Sequence, residues 1–129
     1  MAAGCSSTPT QHMHGTVPAG TAKITIDGHD AGTSNNVQCA QITSLTTIAI
    51  GDDQPRAQVQ LSDAAGLTVE AVRIKGFHGF DGSYDRGLGG HARVNVVEST
   101  YNVSGTADGF DTDNPNRVHP TDFTISVAC

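Results

Sequence analysis

Lys23-Ile24-Thr25-Ile26-Asp27-Gly28 alternates polar and apolar side chains with a period of two. Successive side chains of a strand point to opposite faces, so Ile24 and Ile26 share an inward face. Asp27-Gly28 then supplies a turn pair of the kind that joins antiparallel strands. The same grammar runs on toward the C-terminus. Val37 and Cys39 lie on one face of a strand over 36–42. A run over 45–50 stops at Gly51-Asp52-Asp53-Gln54-Pro55, a strong loop signal. Ala57, Val59 and Leu61 alternate over 56–61, and Ser62-Asp63-Ala64-Ala65-Gly66 reads as a turn. The strand over 67–74 slips by one residue near Ala71, which marks a bulge. Strands resume over 91–97 and 101–107, joined across Ser99-Thr100. The last, over 122–129, places Phe123, Ile125, Val127 and Cys129 on one face.

These segments predict a mainly β protein, a small antiparallel β-sandwich or closed-up sheet of about eight short strands. No stretch sustains a 3.6-residue period. The nearest, 62–74, is rich in β-branched residues that disfavour helix. Residues 22–129 form the single domain. Residues 1–21 read as a lipobox remnant and flexible tether, because Ser, Thr, Pro and Gly dominate there and Pro9 and Pro18 bar helix.

The chain has 129 residues, enough for one domain with a modest core. Its net charge is −6. An acidic surface repels phosphate backbones, and the seven basic residues are scattered rather than clustered, so no nucleic-acid partner is expected. No apolar run is long enough to cross a bilayer as a helix. The opening residues read as the end of an export signal whose hydrophobic part has been removed.

Three cysteines pose the question of which stands apart. Ala2-Ala3-Gly4-Cys5 followed by Ser6-Ser7-Thr8-Pro9-Thr10 has the form of the end of a bacterial lipobox. Small residues fit a narrow peptidase pocket, and the Cys5 thiol is then free to take a diacylglycerol group. The competing reading is a tag remnant followed by an accidental Cys. Cys39 and Cys129 both fall in strand-like text. In an oxidising compartment such a pair persists as a disulfide. The alternative is two buried free thiols.

A family resemblance rests on an ordered series of short blocks: Lys23 to Gly28, Val37-Gln38-Cys39, Ile48-Ala49-Ile50-Gly51 and Leu61-Ser62-Asp63. It continues with Tyr101-Asn102-Val103-Ser104-Gly105-Thr106-Ala107, Asp113-Asn114-Pro115 and Phe123 to Cys129. Together they resemble the mycobacterial lipoprotein antigen family typified by LpqH, with this chain a paralogue such as an LppE-like member. The resemblance implies an exported cell-envelope lipoprotein, acylated on Cys5, with a Cys39–Cys129 disulfide and no enzymatic activity. It implies recognition by host innate receptors, chiefly through the acylated N-terminus. Two features depart from that pattern. The stretch 76–91 is longer and richer in aromatics and His, and the arm carries fewer Thr residues for O-glycosylation.

Candidate chemistry is sparse. Phe77, Phe80 and Tyr84 fall in the Gly-rich stretch 76–90, which reads as a long loop or an irregular edge hairpin. Such a loop suits a lid over a lipid or other apolar ligand; the plainer reading is that the rings cap the core. His78 and His91 flank the stretch, and facing each other with Asp81 or Asp85 they would resemble metal ligands. His12-Met13-His14 offers soft donors on the arm. Neither spacing matches a known signature, so no metal and no cofactor are expected. Asp111-Thr112-Asp113-Asn114-Pro115-Asn116 lacks the turn Gly and the closing Glu of a calcium loop and reads as an Asp/Asn turn. No Gly-x-Ser-x-Gly elbow is present and no catalytic residues are assigned. The expected role is a membrane-tethered binding or structural module, with an envelope carrier of an apolar ligand as the alternative.

Overall fold

Ile24 and Ile26 do face inward, both essentially without exposure, on the first strand of an all-antiparallel architecture. The structure is a computed structural model that describes residues 15–129. Among these residues ten strands follow in chain order: β1 (Ala22–Ile26), β2 (His29–Ser34), β3 (Val37–Ile42), β4 (Leu45–Gly51) and β5 (Arg56–Ser62). They continue with β6 (Thr68–Phe77), β7 (Phe80–Asp85), β8 (Ala92–Val97), β9 (Thr100–Asp111) and β10 (His119–Ala128).

The hydrogen-bonded order is β2-β1-β10-β9-β7-β6-β5-β4-β3, with β8 added on β9. β9 is the joint. One of its edges pairs with β10 from Thr100 to Gly109. Its other edge pairs first with β8, over Thr100 to Gly105, and then with β7, over Asp108 to Asp111. The sheet thus divides at β9 into two layers that close over one core, as the sequence predicts. A Cβ on Gly105 would lie 2.2 Å from the carbonyl oxygen of His91, and one on Gly109 would lie 2.0 Å from that of Asp81. Both switch points of β9 therefore require a residue without a side chain.

The core fills from both layers. Ile24, Val103, Ile125 and Val127 come from one layer, and Ile48, Ile50, Val59, Leu61 and Val72 from the other, all fully buried. Each such aliphatic side chain contributes roughly 1.5–3 kcal/mol on leaving water. The slip near Ala71 is a bulge: Gln60 pairs with Ala71 but Leu61 pairs with Val69, leaving Glu70 as the extra residue.

Eight strands are close to the ten observed, and the two that sequence reading omits are instructive. β2, His-Asp-Ala-Gly-Thr-Ser, has almost nothing apolar because it is a largely exposed edge. β7, Phe-Asp-Gly-Ser-Tyr-Asp, has Gly82 at its centre. The stretch 76–90 is therefore not a long loop. Its first ten residues complete β6, turn at His78-Gly79, and return as β7, which lies between β6 and β9 and so is not an edge strand.

Residues 15–21, assigned from sequence to the tether, run along the strand ends. Asn102 Nδ2 donates to the Gly15 carbonyl at 2.8 Å, the Val17 amide donates to Thr100 Oγ1 at 3.1 Å, and the Gly20 amide donates to the Ala128 carbonyl at 2.9 Å. Cys5 and His12-Met13-His14 lie outside the described residues.

Candidate functional site

Two tight hairpin turns, one from each layer, meet at one end of the molecule. In the β1–β2 turn Ile26 pairs directly with His29, and the central residues Asp27 and Gly28 both have positive φ, 53° and 79°. In the β6–β7 turn Phe77 pairs with Phe80, and His78 and Gly79 have φ of 52° and 66°. Positive φ at both centres is the type I′ geometry, whose twist matches that of the flanking strands. The first turn delivers His29 and the second presents His78. Their ring centroids are 5.2 Å apart, with the planes tilted by 30°.

The connection between β9 and β10 completes the site. An open cleft of about 360 Å³ is lined by the two turns together with Asp111, Asp113, Asn114, His119 and Thr121. Among the described residues three imidazoles and three carboxylates, those of Asp27, Asp111 and Asp113, border it, with no Lys or Arg in the lining. His119 rests over Phe80, with ring centroids 6.2 Å apart. Its Nδ1 lies 2.9 Å from Thr121 Oγ1, and its Nε2 faces Asp111 Oδ2 at 3.7 Å. Nδ1 also lies 3.4 Å from the Pro120 carbonyl oxygen, and the tautomer of the ring sets which nitrogen donates.

The cleft lies far from the place where the N-terminal segment meets the domain. Gly15, Val17 and Gly20 bond to Asn102, Thr100 and Ala128, at one end of β9 and β10. Asp111 and His119 occupy the other end of the same two strands. At about 3.3 Å per residue, β9 spans roughly 36 Å between these ends.

The residues singled out from sequence are dispersed. Phe77, Phe80 and Tyr84 are all buried in the core, so their rings are committed to packing. His78 is in the cleft. His91 is elsewhere, in a shallow groove with Arg93, Ser104 and Asp122, and does not face His78. Asp81 and Asp85 have structural partners: the Gly76 amide donates to Asp81 at 2.8 Å, and Arg73 pairs with Asp85 at 2.8 Å. Asp111 to Asn114 forms a turn closed by the Asn114 amide on the Asp111 carbonyl. His29 and His119 were missed. The available signal for His29 was its place directly after Asp27-Gly28, which fixes it at a hairpin exit.

Cys39 and Cys129 are joined in a disulfide, with Cα atoms 5.9 Å apart. Cys39 is on β3, the last strand of one layer, and Cys129 follows β10, a central strand of the other. The bond staples the layers on the side away from β9, where no strand pairing among the described residues joins them. Among the described residues the buried polar side chains are Thr100 and Thr121. No helix among them is long and apolar enough to cross a membrane.

Comparison with known proteins gives the family of the chain. The family model of the Mycobacterium 19 kDa lipoprotein antigen matches residues 15–129. A putative lipoprotein of Mycobacterium indicus pranii is 35% identical over 97% of this chain and 86% of its own length. The probable lipoprotein LppE of Mycobacterium tuberculosis is 36% identical over 88% of this chain and 81% of its own. Lipoprotein LpqH of Mycobacterium avium is 34% identical over 86% of this chain and 69% of its own. With the disulfide-stapled β domain matched from its docked N-terminal segment to its last strand, the chain belongs to the Mycobacterium 19 kDa lipoprotein antigen family.

Proposed function

We propose that the protein is a non-enzymatic lipoprotein of the cell envelope, held at a membrane by acylation of Cys5 and displaying its β domain outward. The observation that carries this reading is the pinning of the N-terminal segment. Three hydrogen bonds fix Gly15 to Gly20 at the end of β9 and β10 opposite the His-lined cleft. A lipid ten residues upstream of Gly15 would join the domain at that end, on an arm reaching at most about 33–36 Å. Each buried CH₂ of an acyl chain adds roughly 0.8 kcal/mol of membrane affinity, so two or three long chains hold firmly. Display to a partner, including a host innate receptor, would then use the acylated arm or the far end of the domain. The carrier reading receives no support from Phe77, Phe80 and Tyr84, because the rings it needs for a lid are in the core.

The test compares the native chain with Cys5→Ser in a mycobacterial host. Acylation predicts that the native chain partitions with the membrane fraction and carries an acyl mass on the Cys5 peptide, while Cys5→Ser appears in the soluble fraction. Identical partitioning of the two, with an unmodified Cys5, would overturn the anchor.

A further inference from the structure

We propose that the cleft at the far end of the domain is a binding site for a borderline divalent transition-metal ion, such as Zn²⁺ or Cu²⁺, with His29 and His78 as its protein ligands. Imidazole nitrogen is the donor such ions favour. Two imidazoles bound to one tetrahedral ion at the usual distance of about 2.0–2.1 Å place their ring centres about 5 Å apart. The His29 and His78 centroids are 5.2 Å apart. The surroundings suit a cation, since Asp27, Asp111 and Asp113 border the same cleft and, among the described residues, no Lys or Arg lines it. Arg117 lines the adjoining hollow, with Asp111, Asn114 and His119.

The two turns share the I′ geometry, with Asp27 and His78 in the equivalent leading position at φ 53° and 52°, both residue types that enter the left-handed region more readily than most.

Among the described residues, no three His, Cys, Asp or Glu side chains converge on one point. The site is therefore a two-imidazole one, in which water or one of the bordering carboxylates fills the remaining positions on binding. His119, already engaged by Thr121 and Asp111, is not assigned as a ligand.

The test uses the full chain with Cys5→Ser, His12→Ala and His14→Ala, which removes the thiol and the imidazoles of the arm. Calorimetric titration with ZnCl₂ and with CuCl₂ is combined with NMR of the histidine side chains. One ion is expected to bind per chain, shifting the His29 and His78 resonances. His29→Ala and His78→Asn are each expected to weaken binding by roughly tenfold or more, and His91→Ala to leave it unchanged. His78→Asn keeps a good I′ turn, so a loss of binding in that variant cannot be ascribed to a lost hairpin. Absence of binding in the parent chain, or binding that survives both His29→Ala and His78→Asn, would overturn the assignment.

Discussion

Asn102, near the start of β9, holds Gly15 and Ser126 at once: its Nδ2 donates to the Gly15 carbonyl at 2.8 Å while its Oδ1 accepts from Ser126 Oγ at 2.6 Å. One side chain thus ties the N-terminal segment to β9, which carries Asn102, and to Ser126 on β10. Asn102→Ala removes both bonds. The expected loss is about 1–2 kcal/mol of stability, with faster hydrogen exchange and earlier proteolysis confined to residues 15–20. Exchange in that segment identical to the native protein would show that Asn102 does not hold it.

Gly109 tests the switch of β9 from one layer to the other. Its absent Cβ would sit 2.0 Å from the Asp81 carbonyl oxygen and 2.4 Å from the Gly82 Cα. Both obstacles are backbone and cannot rotate away. Gly109→Ala is expected to cost about 1–3 kcal/mol or more, as overpacking does, and to weaken the β7–β9 pairing first. Urea denaturation gives the cost, and amide exchange at Gly82 and Phe110 gives the location.

The disulfide closes a loop with a sequence separation of 90 residues. On the chain-entropy account such a loop is worth about 4–5 kcal/mol. Reduction, or Cys39→Ser with Cys129→Ser, should lower the denaturation midpoint accordingly while leaving the strand content intact under native conditions. A midpoint insensitive to reductant would mean that the layers are held by packing alone.

Phe80 separates a core ring from a lid. It is 1% exposed and lies beneath His119. Phe80→Ala should cost about 3–5 kcal/mol, the usual cost of emptying such a site. A ring on a loose lid would cost almost nothing, so thermal denaturation of this one variant decides the matter.

The fold was legible wherever burial was one-sided. Alternation at Ile24/Ile26, Ala57/Val59/Leu61 and Phe123/Ile125/Val127 reports directly which face meets the core, and even the bulge at Glu70 shows as a broken alternation. β2 was illegible because an exposed edge needs no apolar period. β7 was illegible because Gly82 sits where Phe80 folds over it: a Cβ there would be 2.4 Å from that ring. The candidate site was harder still. His29, His78 and His119 are far apart in the chain and come together only through the topology, so spacing could not reveal them. The pairing of His78 with His91 expected from proximity in sequence failed because the hairpin turns His78 outward at one end while His91 precedes β8.

The place of β10 has a consequence for how the chain comes into being. It is the last strand to be synthesised among the ten, yet it lies between β9 and β1, pairing Ile125 with Ile24 and with Val103. The first strand therefore has its central neighbour only when nearly the whole chain is available. Contacts so distant in sequence form slowly, because a long loop must close before they reward it. The layer from β3 to β7 can thus pair in chain order as it emerges, whereas the layer built on β1 and β10 must wait for the C-terminus.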